Sequence, residues 1–464
     1  MVHIHWILAN FLTILGFVLA LLFLVQILRE QRRSPSSVMA WLLAIFLVPY
    51  IGVPLYIIFG GRKMQRMTEK KPSLFNRSQD ISGAYDDQQK QVSRLVSSGF
   101  PRRERNHFTM LPTGEDAFRT LIQEIERAQQ SIYITTFILG KDVTGQAILN
   151  ALIRKVKDGV EVCLLLDALG SWNISGRFLA AFQEAGGKYA FFMPIIHLPF
   201  RGRANLRNHR KIVLIDRTIA IVGGMNLAQE YMGAVNHAQR WYDLSIMVQG
   251  PIVSDLDTVF RSDWTFAAKE ALSVPPEQPI VTECDDSVAL QVVPSGPDVA
   301  GDPLYDTIVT SLFSAQQRIW IVTPYFIPDD VLVKALCIAA RRHVDVSIVI
   351  PLVSNHRLAD IIRQSYVRQI QEAGAKIFQL TPGMMHGKVI LIDDSLGIIG
   401  SMNMDMRSFF LDYEIALFID SKQAIPLLDR WIRDVMAHCT IGVGKVSGIV
   451  EFFEGIGRLF APLL

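Results

Sequence analysis

Two stretches of the chain repeat one sparse set of reactive side chains. The first is His209-Arg-Lys211-Ile-Val-Leu-Ile-Asp216, followed by Gly223-Gly224-Met225-Asn226; the second is His386-Gly-Lys388-Val-Ile-Leu-Ile-Asp393, followed by Gly400-Ser401-Met402-Asn403. In both, His to Lys is two residues, His to Asp seven and His to Asn seventeen. Two imidazoles, two ammonium groups and two carboxamides suit a phosphate diester. Lysines and amides stabilise the oxygens of a five-coordinate phosphorus, one imidazole attacks phosphorus, and the other protonates the departing oxygen. A lone histidine on an apolar strand is ordinarily a packed or surface residue, but duplicated spacing reverses that reading. The other eight histidines, including His197, His237 and His343, keep it.

The candidate catalytic set is therefore His209, Lys211 and Asp216 with His386, Lys388 and Asp393; Asn226 and Asn403 are the candidate phosphate-stabilising groups. Strand parity divides this set. Residues two apart share a face, so each Lys follows its His, while each Asp lies an odd number further and points elsewhere. The Asp is expected to close a turn, after which the chain returns as a second strand and brings the Asn back beside the His. The glycines before each Asn permit close backbone approach to a ligand.

The elements that must position these groups are duplicated as well. Ala128–Thr136 (AQQSIYITT) resembles Ala315–Thr323 (AQQRIWIVT), and Gln183–Lys188 resembles Gln371–Lys376. Amphipathic runs such as 117–128 alternate with Val/Ile/Leu-rich runs such as 132–139, 160–166 and 344–350, which predicts an α/β fold. The expected architecture is two α-β-α sandwich lobes, residues 108–264 and 287–440, around one central cleft. A proline-rich linker at 265–286 separates them, a polar linker at 61–107 precedes them, and an amphipathic helix at 441–464 follows. That last helix either lies in a membrane interface or packs on the core.

The chain has 464 residues, half of them hydrophobic, and a net charge of +2. This excludes a disordered chain and argues against a protein that wraps nucleic acid through a basic surface. Four scattered cysteines, Cys163, Cys284, Cys337 and Cys439, offer neither a zinc site nor a disulfide framework, and no carboxylate cluster suits magnesium, so no metal or other cofactor is expected.

Residues 6–28 and 38–59 carry no Asp, Glu, Lys or Arg. Each spans roughly 33 Å as a helix, enough to cross a bilayer, so residues 1–60 are expected to form a transmembrane hairpin. The turn holds Arg29, Arg32 and Arg33, whereas Arg62, Lys63, Arg66, Lys70 and Lys71 follow the second span. Positive charge favours the inner side, which places the lobes in the cytoplasm, against the inner membrane.

The duplicated His-x-Lys-x4-Asp pattern with trailing Gly-[Gly/Ser]-x-Asn resembles the phospholipase D superfamily over about residues 108–436. The segments Asn403–Phe409 and Thr323–Asp330, with the paired N-terminal spans, resemble its bacterial cardiolipin synthases. The resemblance implies transfer of a phosphatidyl group from one phosphatidylglycerol to the hydroxyl of another through a phosphohistidine, with His209 the nucleophile and His386 the general acid and then base. It implies a ring-orienting carboxylate behind each histidine: Asp243 of Trp241-Tyr242-Asp243 in the first copy, and Glu414 of Asp412-Tyr413-Glu414 in the second. Such a partner is expected to fix the tautomer and favour the charged imidazole.

The loop before His209 is longer than its counterpart. Its apolar tip, Ile195–Phe200, with Arg201, Arg203 and Arg207, is expected to meet acyl chains and anionic headgroups. The partners are thus phosphatidylglycerol, other membrane phospholipids and the bilayer, with no nucleic acid; association of identical copies is left open. The alternatives are a hydrolytic phospholipase D releasing phosphatidate, and a non-catalytic membrane scaffold with a phosphate-binding cleft.

Overall fold

A computed structural model of the chain describes residues 35–48, 100–194, 206–273, 287–444 and 446–458, with isolated positions before residue 100. Contacts divide the chain into a small unit that ends at Met67 in the N-terminal region and a large unit that starts at Thr68 and carries both sequence copies. In the small unit a helix spans Pro35–Leu47, and Ile45, Val53 and Tyr56 form a minor apolar cluster. Among the described residues no helix is long and apolar enough to cross a membrane. The first expected span, 6–28, lies outside them apart from Val18 and Leu21, as does much of the second after Val48.

In the large unit, the first copy contributes strands β1 (Arg103–Leu111), β2 (Ser131–Thr136), β3 (Glu161–Asp167), β4 (Lys188–Phe192), β5 (Ile212–Ile215), β6 (Ile219–Gly223) and β7 (Ser245–Gln249). The second contributes β8 (Val288–Ser295), β9 (Arg318–Val322), β10 (Phe326–Ile327), β11 (Asp345–Pro351), β12 (Lys376–Leu380), β13 (Val389–Ile392), β14 (Leu396–Gly400), β15 (Met404–Asp405), β16 (Glu414–Asp420) and β17 (Cys439–Ile441). The Val/Ile/Leu runs are strands buried on both faces, as β5 and β13 show throughout their lengths.

One copy reads β4-β3-β2-β5-β6-β7-β1 across its sheet and the other β12-β11-β9-β13-β14-β16-β8, so the duplication extends to strand order. The lobes also share one sheet. Strands β1 and β8 pair antiparallel, with Arg103 opposite Leu290 and Asn106 opposite Val288, which joins the two copies into a 15-stranded sheet; β10 and β15 pair separately. Asn106 stabilises this irregular seam: its amide donates to the Arg103 and Val288 carbonyls, and its oxygen accepts from Ile252 N–H.

Strand β1 thus begins inside the stretch expected to be linker, and the helix Ile252–Ala268 continues past residue 264 to a left-handed stop at Lys269. The helix expected over 441–464 starts only at Gly448, because 439–441 first add β17 to the edge of β12. It packs on the helix Arg357–Glu372, where Arg458 covers the Tyr366 ring at 4.5 Å and Glu454 pairs with Arg368. Its other face leaves Ile449 and Phe452 exposed.

Candidate active site

Each histidine lies just before the inner strand of its copy's hairpin. Strands β5 and β6 pair from Ile212↔Val222 to Ile215↔Ile219, and β13 and β14 from Val389↔Ile399 to Ile392↔Leu396. The returning strand carries the Gly-[Gly/Ser]-x-Asn segment back to the level of the histidine, as the spacing requires.

The motif aspartates stand at the opposite end. Seven residues of extended chain separate each from its histidine, roughly 20 Å. Asp216, at φ +50°, accepts hydrogen bonds from the N–H groups of Gln129, Gln130 and Ser131; Asp393, at φ +51°, does the same for Gln316, Gln317 and Arg318. Their place in the catalytic set is therefore corrected: they fasten the hairpin turn to the repeated Ala-Gln-Gln segment before β2 and β9. Asp216→Ala is expected to lower unfolding free energy by about 2–3 kcal/mol, since it removes charge-assisted bonds and leaves a non-glycine residue at positive φ. Denaturant titration checks this, and the kcat of the folded fraction should stay within about threefold.

The orienting carboxylates cross between copies. His209 Nδ1 lies 2.9 Å from Glu414 Oε1, and His386 Nδ1 lies 2.6 Å from Asp243 Oδ2. Backbone contacts enforce the exchange: His209 N–H donates to the Tyr413 carbonyl at 2.9 Å and His386 N–H to the Tyr242 carbonyl at 2.7 Å. Pairing within each copy, the simplest expectation, is overturned because each histidine's segment runs beside the other copy's Tyr-[Asp/Glu] segment, in the bridges Asn208↔Tyr413 and Tyr242↔Met385.

The two pairs differ in protonation. Burial, reinforced by Lys211 and Lys388, lowers His209 to about 4 although Glu414 pulls the other way. A charged imidazole was expected here, but desolvation outweighs the carboxylate. Glu414 is held below its ordinary range: burial would raise it, but His209, Lys211 and the Ser401 hydroxyl prevail. Asp243 is raised to about 7 by burial, and His386 is lowered by burial and by Lys388. At neutral pH the first pair is thus an ionised carboxylate behind a neutral imidazole, whereas in the second the Asp243 carboxyl, at about 7, is close to half protonated.

One residue of the motif explains part of this asymmetry. In the second copy Ser401 donates its hydroxyl hydrogen to Glu414, and in turn accepts from Ile415 N–H at 3.0 Å. In the first copy the same position is Gly224, where a Cβ would lie 2.1 Å from Asp243 Oδ1, so no hydroxyl can stand there to favour the charged carboxylate.

Lys211 Nζ donates to the His209 carbonyl at 2.8 Å, and Lys388 Nζ to the His386 carbonyl at 2.6 Å. Burial lowers Lys211 to about 7 and Lys388 to about 8. Each lysine feels the other copy's groups, and His386 feels His209, so both sets share one electrostatic environment. Asn226 accepts from Ile138 N–H at 3.2 Å and bonds the Tyr231 hydroxyl. Asn403 Oδ1 is buried with no partner.

Aromatic walls absent from the sequence reading hold the rings. Phe137 meets His209 edge-on at 5.0 Å, and Tyr231 and Trp241 flank His386 at 4.8 and 5.2 Å. Beyond Trp241 opens a cavity of about 330 Å³ lined by Leu352, Val353, Asn355, Thr381 and Met384 among others. Arg207, expected to meet headgroups, is instead 2% exposed; it donates to the Met193 carbonyl at 2.8 Å and stands 3.6 Å from the Asp167 carboxylate, closing the base of its loop. Arg201 and Arg203, with the apolar tip, lie outside the described residues.

A duplicated α/β sheet that gathers two His-Lys-Asn sets, each histidine backed by the other copy's carboxylate, defines a phospholipase D-like protein. The family described as cardiolipin synthase, phospholipase D-like domain, matches residues 121–264 and 308–436, and a phospholipase D-nuclease N-terminal family matches residues 18–61. Cardiolipin synthase 1 of Bacillus anthracis is 33% identical over 94% of this chain and 90% of its own length. Cardiolipin synthase of Geobacillus sp. (strain WCH70) is 30% identical over 96% and 92%. The chain belongs to the phospholipase D-like cardiolipin synthase family. A solved structure of phosphatidylserine synthase from Haemophilus influenzae Rd KW20 shares the fold, with a TM-score of 0.62 at 16% identity, covering 81% of this chain and 99% of that one.

Proposed function

We propose that the protein transfers a phosphatidyl group from one phosphatidylglycerol to a hydroxyl of a second, giving cardiolipin and glycerol. The observation that carries this reading is the crosswise backing of two buried imidazoles, His209 by Glu414 at 2.9 Å and His386 by Asp243 at 2.6 Å, which suits one ring to attack and the other to proton transfer. The lone pair of His209 Nε2 attacks phosphorus; the bond to the headgroup oxygen breaks, and that oxygen takes the Nε2 proton of His386 while the proton of the Asp243 carboxyl passes to His386 Nδ1. Glycerol leaves. The acceptor hydroxyl then gives its proton to His386 as its oxygen attacks phosphorus, the P–N bond breaks, and both imidazoles regain their starting states. Lys211, Lys388, Asn226 and Asn403 stabilise the non-bridging oxygens. The cavity lined by Trp241, whose ring lies 5.2 Å from that of His386, offers room for part of a lipid substrate.

Purified full-length protein incubated with phosphatidylglycerol labelled in its headgroup should yield cardiolipin and labelled glycerol. Phosphatidate with glycerol would make it a hydrolase, and no product at all would leave the scaffold reading.

In this reading kcat/KM is bell-shaped in pH. It rises as His209 loses its proton near 4, and falls as Lys211 and the Asp243–His386 pair lose theirs near 7 and Lys388 near 8. A pH series at limiting substrate checks this; an acid limb near pH 6.5 would mean that an unperturbed histidine controls the reaction.

The reading includes attachment to the bacterial inner membrane by two spans at 6–28 and 38–59, with the lobes in the cytoplasm. The apolar lengths of both segments support it. Lys71 drops out of the charge count, because its ammonium is buried in the large unit; Arg62, Lys63, Arg66 and Lys70 still outnumber the three arginines of the turn. Reaction of Cys284 with an impermeant maleimide on intact cells would reverse the orientation.

A further inference from the structure

Behind the start of β16 lies a group of four charges that takes no direct part in the chemistry above. Lys71 Nζ contacts Asp263 and lies 2.6 Å from Asp298 Oδ2; Arg210 Nη1 donates to Asp263 Oδ1 at 2.7 Å, and Nη2 to Asp298 Oδ1 at 3.3 Å. All four side chains have zero exposure. The charges balance two against two. Removing one leaves an uncompensated charge in a place water does not reach.

This group adjoins the His209 pair. Arg210 follows His209 in the chain, and its Nε donates to the Glu414 carbonyl at 3.1 Å. The Lys71 ammonium sits 4.7 Å from the centre of the Tyr413 ring, and the Tyr413 carbonyl receives His209 N–H. Asn208, on the other side of His209, donates to Asp263 Oδ2 at 3.0 Å. Thus both chain neighbours of His209, and both the carbonyl of Glu414 and the ring before it, rest on the four-charge group. The second copy has Gly387 where the first has Arg210, so this arrangement supports the His209 side alone.

We infer that Lys71 is a positioning residue of the reaction: by completing the charge balance with Arg210, Asp263 and Asp298 it sets the placement and proton affinity of the Glu414–His209 pair. Lys71 arrives on the segment that enters the large unit at Thr68, four residues after the N-terminal unit ends. The competence of the nucleophile therefore depends on a residue far upstream of the repeated copies. The held state of Asp298 agrees: burial would raise it, yet Arg210 and Lys71 keep it below its ordinary range.

The inference rests on His209 as the nucleophile, and the test separates the two. In full-length protein, Lys71→Met leaves surplus negative charge near His209, and Asp298→Asn leaves surplus positive charge. The acid limb of kcat/KM should move up by about one pH unit in the first and down in the second. Lys71→Met/Asp298→Asn, which is charge-balanced, should restore the wild-type limb and at least half the wild-type kcat. A role in packing alone would lower activity in both single variants with the limb unmoved and would not be rescued by the double; that result overturns the inference. Should Lys71→Met fail to fold, Asp298→Asn against the double variant gives the same comparison, and a limb in Asp298→Asn that is unmoved or moves up overturns it. An inactive His209→Asn alongside unmoved limbs removes only the role of Lys71, whereas an active His209→Asn removes the mechanism itself.

Discussion

His209→Asn is expected to lose at least about 10,000-fold in kcat and all covalent labelling, because the attacking nitrogen is gone and His386, paired with Asp243, is committed to moving the proton. His386→Asn should lose a comparable factor in turnover for a different reason. Its nucleophile remains, behind an ionised Glu414, but the departing alkoxide finds no proton. An acid-sensitive, alkali-stable label from phosphatidyl-labelled substrate should therefore form slowly on His386→Asn and never on His209→Asn. Since the two copies are related by duplication, the opposite labelling pattern is the informative failure: it would put the nucleophile in the second copy and make Asp243, rather than Glu414, its partner.

The second large effect is expected at the crosswise carboxylates. Glu414→Gln keeps the shape but offers His209 Nδ1 an amide that can donate as well as accept. The imidazole can then carry its proton on Nε2, where the attacking lone pair is needed. A loss of roughly 10,000-fold in kcat is expected, the scale seen when a buried aspartate behind a catalytic histidine becomes an amide. Asp243→Asn should cost less, about 100-fold, because His386 must deliver a proton rather than a lone pair. KM should stay within about threefold in both, since both carboxylates are buried behind the Nδ1 atoms of the histidines. Equal losses in the two variants would mean that the protonation asymmetry does not divide the roles.

Much of this site was legible in the sequence because the chemistry is used twice. Spacings of two and seventeen recur because a hairpin of fixed length returns each Asn to its His, and packing alone has no reason to preserve both. The Asp at spacing seven recurs for another reason, a turn fastened to Ala-Gln-Gln, and strand parity already pointed it away from the histidine. The crosswise exchange was not legible, because it depends on Asn208 lying beside Tyr413 and Tyr242 beside Met385, contacts between copies that no internal periodicity encodes. Lys71 was misread for a related reason. In a polar stretch after an apolar span a lysine resembles its solvated neighbours, and only Asp263 and Asp298, 192 and 227 residues away, mark it as buried. Arg207 was misread similarly, since a run of three arginines suggests an anionic surface until Asp167 and the Met193 carbonyl account for one of them.

The exchanged carboxylates bear on how such a chain could arise. A single half holds a histidine and a carboxylate that cannot serve each other, so an unfused ancestor would have worked only as a symmetric homodimer, each protomer completing its twin. Within one chain the two halves need not stay identical, and the glycine at 224 against the serine at 401 is one place where they differ behind the paired carboxylates.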